Sequence, residues 1–125
     1  MEVKLNKATP ELLKTPPASM SGVVFGTQFS DHMFCMEWED EKGWHNAEIK
    51  PYGPLLMEPS AMVLHYAQMA FEGLKAYRTD SGENVLFRPR ENFKRMNRTA
   101  QRMCLPELDV EEVLDALKQL LRLDS

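Results

Sequence analysis

Six cations, Arg88, Arg90, Lys94, Arg95, Arg98 and Arg102, fall within a short stretch that holds a single carboxylate, Glu91. A guanidinium offers a planar fork that matches phosphate or carboxylate, so this cluster is a candidate anion site. The plainer alternative is a solvated basic helix face paired with acidic neighbours. A second segment, Leu64-His65-Tyr66-Ala67-Gln68-Met69-Ala70-Phe71-Glu72-Gly73, carries polar tips on His65 and Tyr66 and an apolar ring, Phe71, beside a glycine. It reads either as part of an apolar pocket wall or as an amphipathic helix whose aromatics serve only packing. A third places Ser30, Asp31 and His32 side by side. Neighbours along a strand point to opposite faces, so these three do not make a nucleophilic triad. The sequence contains no GxSxG, phosphate-loop, GxGxxG, HExxH or paired-cysteine pattern.

The elements that must position these residues follow from periodicity. Residues 1–21, with Pro10, Pro16 and Pro17, form an extended arm lying on the surface or on a neighbouring subunit. Residues 32–38 and 44–49 make a hairpin around Asp40-Glu41-Lys42-Gly43. Three prolines break regularity over residues 51–59. Ser60 is the expected N-cap of a helix over residues 61–72, with Gly73 just past its end. A second hairpin pairs residues 74–78 with 85–88 about Asp80-Ser81-Gly82. Two helices close the chain. The first spans residues 91–104 and puts Phe93, Met96 and Ala100 on one face, and Pro106 stops it. The second begins after an Asp109 N-cap, with Glu112 at the N3 position and a Leu108–Val113 staple. Its apolar stripe has Val113, Leu117 and Leu121 as the expected seam, flanked by Val110, Leu114 and Leu120. Two hairpins followed by segregated helices predict an α+β, two-layer domain over residues 22–125.

Composition bounds the rest. A chain of 125 residues, 43% hydrophobic and 27% charged, has room for one modest core. Its net charge of -4 gives no general pull toward nucleic acid. No apolar run approaches the roughly 18 residues of a membrane span, and the charged N-terminus leads into no signal-like segment. Two unpaired cysteines, Cys35 and Cys104, argue against a disulfide framework or metal site and fit a reduced, cytoplasmic compartment.

A set of words in fixed order then carries a family resemblance. Phe25-Gly26-x-x-Phe29-Ser30-Asp31-His32-Met33 is followed by Gly43-Trp44 and Leu64-His65-Tyr66. Next come Phe71-Glu72-Gly73-Leu74-Lys75-Ala76-Tyr77-Arg78, Leu86-Phe87-Arg88-Pro89, Asn92-x-x-Arg95-Met96 and Cys104-Leu105-Pro106. Over residues 23–124 they resemble the N-terminal part of branched-chain amino acid aminotransferases, pyridoxal-phosphate enzymes of fold type IV. The Phe71-Glu72-Gly73 piece alone is similar to the wider group, which includes D-amino acid aminotransferases and aminodeoxychorismate lyases. The first two words point to the branched-chain branch.

The resemblance implies a role for each matching residue. Arg95 matches the arginine that contacts the pyridoxal 5'-phosphate phosphate. Phe25, Phe71 and Gly73 match walls of the substrate side-chain pocket, and Tyr66 matches a tyrosine that reaches the active site of a neighbouring subunit, which implies a homodimer or higher homo-oligomer. The substrates implied are leucine, isoleucine and valine with 2-oxoglutarate, and no metal. Members of the family are more than twice this length, and their Schiff-base lysine lies in a second, larger domain. None of the lysines here sits in such a motif, and Lys75 takes no catalytic role. The expectation is the small domain of an aminotransferase, inactive alone. A non-catalytic interaction or oligomerisation module is the alternative of another class.

Overall fold

The computed structural model describes residues 1–19 and 21–124; Met20 and Ser125, inside the predicted arm and domain spans, lie outside them. The elements run β1 (Lys4–Leu5), a 3-10 turn (Pro10–Leu12), β2 (His32–Glu39), β3 (Gly43–Pro51), α1 (Met62–Tyr66), β4 (Ala76–Arg78), β5 (Asn84–Leu86), α2 (Pro89–Met103) and α3 (Val110–Leu123). Among the described residues, three helices and two small sheets make the α+β fold predicted from the pattern.

The first sheet has the order β1-β3-β2. β2 and β3 form the predicted hairpin, closed by Glu39 opposite Gly43 with Trp38 opposite Trp44 next to it. Between the Cys35–Glu48 and Glu37–His45 pairs, Met36 alone opposes Asn46 and Ala47, a bulge. Asn46 takes the positive φ of 52° there, a conformation that a short amide side chain tolerates. Ala47 of the bulge and Ile49 beyond it alternate inward and are buried. The second sheet pairs β4 with β5, Tyr77 opposite Val85, around the predicted turn.

The arm runs along the chain's own domain. Lys4 and Leu5 add a parallel strand to β3, opposite Glu48 and Ile49. Farther on, the Lys14 amide donates to Asp31 Oδ1 at 2.9 Å, and its ammonium lies 4.5 Å from the centre of the Tyr52 ring, itself stacked on Phe29. His32 fastens this arrangement. It is 3% exposed; its Nε2 accepts from the Ala8 amide at 2.8 Å, which leaves the ring proton on Nδ1 to donate to Asp124 Oδ1 at 2.5 Å. The His32 backbone N–H also donates to Asp124 Oδ2. One imidazole thus ties the arm, the start of β2 and the end of α3. Ser30 Oγ donates to the His32 carbonyl and Asp31 is taken by Lys14, so the three adjacent polar residues form no triad, although only His32 lies in the strand and Ser30 and Asp31 precede it. His32→Ala is expected to destabilise the chain by about 1–3 kcal/mol, the cost of leaving buried partners unmade. Hydrogen exchange should show the Ala8 amide losing protection; an unchanged Ala8 rate with unchanged stability would remove the fastening role.

Two expectations are corrected. The helix predicted over residues 61–72 with Ser60 as N-cap is a five-residue α1 whose N-cap is Ala61, without a side-chain cap. It ends at Ala67, in the left-handed region at φ 51°, so Gly73 caps nothing. The competing interactions are tertiary. The Gln68 side chain donates to the Met103 carbonyl at the end of α2 at 2.8 Å, and Glu72 bonds to α2 side chains. A chain laid along α2 by these bonds cannot also coil into its own helix. The second hairpin is also shorter than predicted, because Arg88 turns to φ 48° to launch α2, with Pro89 in its first turn.

The two long helices follow the sequence closely. Leu105 N–H bonds to the Ala100 carbonyl across Cys104 at φ 54°, a Schellman-type end to α2 just before Pro106. Asp109 caps α3, accepting from Glu111 and Glu112 N–H at 3.0 Å each. The capping box closes on one side only, since the Glu112 carboxylate pairs with the Met1 amino group. The innermost residues of α3 are Val113 and Leu114 of the predicted stripe and Ala116 beside it, while the expected seam residue Leu117 is half-buried. With Ala47, Ile49 and Ala100 they make the core, where α3 packs on β2 and α2.

Candidate functional site

The basic cluster divides by partner. Arg90 forks onto Glu111 of α3 at 2.6 and 2.8 Å, and Lys94 pairs with Glu91 one turn back at 3.1 Å, so these two are surface pairs of the plain kind. Arg88, Arg98 and Arg102 make no ion pair among the described residues. Arg95 differs. Its Nε donates to Glu72 Oε2 at 2.6 Å and its Nη2 donates to Glu72 Oε1.

Glu72 is the better buried partner, its side chain 9% exposed against 58% for Arg95. Its Oε1 also accepts from Asn92 Nδ2 at 3.1 Å and from the Gly73 N–H at 3.0 Å. Asn92 spans the junction by donating to the Gly73 carbonyl at 2.9 Å. Asn92 and Arg95 stand three residues apart on α2 and so share a face. The Arg95 hydrogen bond, more than those of Asn92 and Gly73, holds the Glu72 carboxyl down to about 2 from an ordinary 4.5. Stability from this bonding is therefore full above pH about 4.5 and is lost as pH falls toward about 2, because the unfolded chain takes up the proton first. Glu72→Gln is expected to flatten that acid limb of urea-unfolding midpoints. An identical limb in the variant would show that the pair does not persist in solution.

A guanidinium carries five N–H donors, of which Glu72 takes two. Arg95 also lines a recess of about 280 Å³ with Phe87, Arg88, Glu91 and Asn92 at the start of α2. This donor set fits a phosphate group: an unspent guanidinium edge, a second arginine and the first turn of a long helix. Glu91 is the one carboxylate on the lining, drawn off by Lys94.

The other predicted site residues lie at different places. Phe71 and Gly73 flank Glu72, with the Phe71 ring 3.7 Å from where a Gly73 Cβ would stand. Phe71 is 82% exposed. Tyr66 ends α1 and is exposed, and Phe25 is fully exposed on a separate recess before β2, with Val23, Val24 and Phe29. The structure thus groups Arg95, Phe71 and Gly73 around Glu72 and leaves Phe25 and Tyr66 apart from them. Glu72 and Asn92 were missed by sequence reasoning as site residues. The available signal was the Asn92-x-x-Arg95 spacing, which places an amide and a guanidinium on one helix face. Among the described residues no group of His, Cys, Asp and Glu is arranged to hold a metal ion, and no helix is long and apolar enough to cross a membrane.

No family model matches the chain. Individual relatives match closely. Branched-chain-amino-acid transaminase 1 of Bacillus subtilis is 52% identical over 112 residues, 90% of this chain and 31% of the relative. The cytosolic branched-chain-amino-acid aminotransferase of Saccharomyces cerevisiae is 48% identical over 119 residues, 95% of this chain and 32% of the relative. That of Caenorhabditis elegans is 44% identical over 124 residues, 99% and 30%. The chain spans about three tenths of the length of the curated relatives it matches, at their N-terminal end.

Proposed function

We propose, for a chain that belongs by sequence to the N-terminal third of the branched-chain-amino-acid aminotransferases, that it is the small domain of an enzyme moving the amino group of leucine, isoleucine or valine to 2-oxoglutarate. The observation that carries this reading is the Arg95 recess: the arginine matched to a cofactor phosphate is held by one edge and keeps its other donors open. Pyridoxal 5'-phosphate, when bound, supplies the electron sink for chemistry at the substrate α-carbon.

The residues of this chain bind and enclose. Arg95 holds the phosphate, with Arg88 adding positive charge beside it. Phe25, Tyr66, Phe71 and Gly73 supply the apolar wall for a branched side chain, each methylene of which gains about 0.8 kcal/mol on burial. Phe25, Tyr66 and Phe71 are 101%, 77% and 82% exposed, which supports a wall completed by the remainder of the protein and by a second subunit of a homo-oligomer. No residue here is assigned the catalytic amine, so the 125-residue chain by itself should not transaminate. The two free cysteines support a reduced, cytoplasmic setting.

The test is glutamate formation by the protein of the complete reading frame, from 2-oxoglutarate with leucine, isoleucine or valine. All three should serve as donors. A clear preference for D-alanine, or pyruvate release from aminodeoxychorismate, would overturn the assignment in favour of another member of the wider group.

A further inference from the structure

We propose that Glu72 is the positioning residue for Arg95: by gripping one edge of the guanidinium it fixes which edge meets the cofactor phosphate. The inference rests on the reading of Arg95 just given.

Glu72 is suited to this and not to attraction. A carboxylate beside the recess opposes an incoming phosphate and neutralises the arginine that binds it. Its contribution is order. An arginine 58% exposed on a helix surface otherwise samples many rotamers, and binding an anion must freeze them. Here the bidentate bond freezes them beforehand. The grip is itself anchored, since Asn92 and the Gly73 amide hold the same carboxylate oxygen and Asn92 binds the Gly73 carbonyl. The spent donors are Nε and one of Nη2, so Nη1 and the other Nη2 proton remain as a pair for two phosphate oxygens. The other forked arginine, Arg90, shows the contrast: its partner Glu111 is 63% exposed and has no comparable anchoring bonds among the described residues.

Charge and position predict opposite signs for one substitution. If Glu72 acted only through its charge, Glu72→Gln would strengthen phosphate binding. If it positions Arg95, Glu72→Gln weakens it. The experiment titrates the apo form of the complete reading frame with pyridoxal phosphate and, separately, with pyridoxal, which lacks the phosphate. The ratio of the two dissociation constants isolates the phosphate contact from general damage to the site. Glu72→Gln should lower this preference about threefold to tenfold, and Glu72→Asp should restore most of it. Asn92→Ala, which keeps the pair but loosens its anchor, should lower it by a smaller factor and serves if Glu72→Gln does not fold. An unchanged or increased preference in Glu72→Gln, or an equal loss of both ligands, overturns the positioning role while leaving Arg95 as the phosphate ligand. A preference unchanged in Arg95→Ala overturns the underlying reading instead.

Discussion

Leu114→Ala is expected to lower the unfolding free energy by about 2–5 kcal/mol, the range for truncating a well-packed leucine. Leu114 is 1% exposed and, with Ile49, is one of the two largest side chains fully out of water. It lies on α3 beside Leu86 of β5 and Pro89 of α2, so a cavity there has walls on three elements. The few buried residues of this chain leave little material to collapse into the gap. Leu117→Ala, at a half-buried position, should cost clearly less. Urea unfolding of the two variants beside the parent chain decides it. A loss below roughly 0.5 kcal/mol for Leu114→Ala, the usual size at exposed sites, would mean that α3 is not docked by this face.

The ordering of these two leucines shows what a sequence pattern can and cannot resolve. Apolar spacing identified α3, its Asp109 cap and its stripe, because cap and stripe are local properties of consecutive residues. The pattern could not choose the innermost edge of the stripe. That depends on how the neighbouring elements approach, and Ala116, outside the predicted stripe, is fully buried. The hairpin of β2 and β3 was legible for the same local reason. The helix predicted through Phe71 failed because Gln68 and Glu72 bond to α2, residues distant in sequence. The fastening of Ala8, His32 and Asp124 was equally hidden, since its members lie far apart along the chain. For the candidate site, charge density pointed to α2 but could not separate Arg95 from Arg90. What separates them is the partner: a buried, multiply bonded Glu72 against an exposed Glu111.

Arg95→Ala in the complete protein should weaken pyridoxal phosphate binding by at least about tenfold, one decade being 1.4 kcal/mol. Charge-assisted hydrogen bonds contribute about 1.5–3 kcal/mol each, so the loss of even one reaches that size. The structure adds a second cause. Removing the guanidinium leaves the Glu72 carboxylate, 9% exposed, without its main partner and still charged beside the recess. The variant therefore loses an attraction and uncovers a repulsion. Arg95→Lys keeps the charge but not the fork: an ammonium cannot hold Glu72 with two bonds and offer a paired edge to the phosphate at once. It should fall between the parent and Arg95→Ala. Arg102→Ala should change cofactor affinity little, because Arg102 lines no part of the recess and sits in the last turn of α2, remote from its start. All three would be compared by titrating pyridoxal phosphate into apo-enzyme. Equal small effects of Arg95→Ala and Arg102→Ala would reduce the cluster to a charged helix face and remove the phosphate site from this domain.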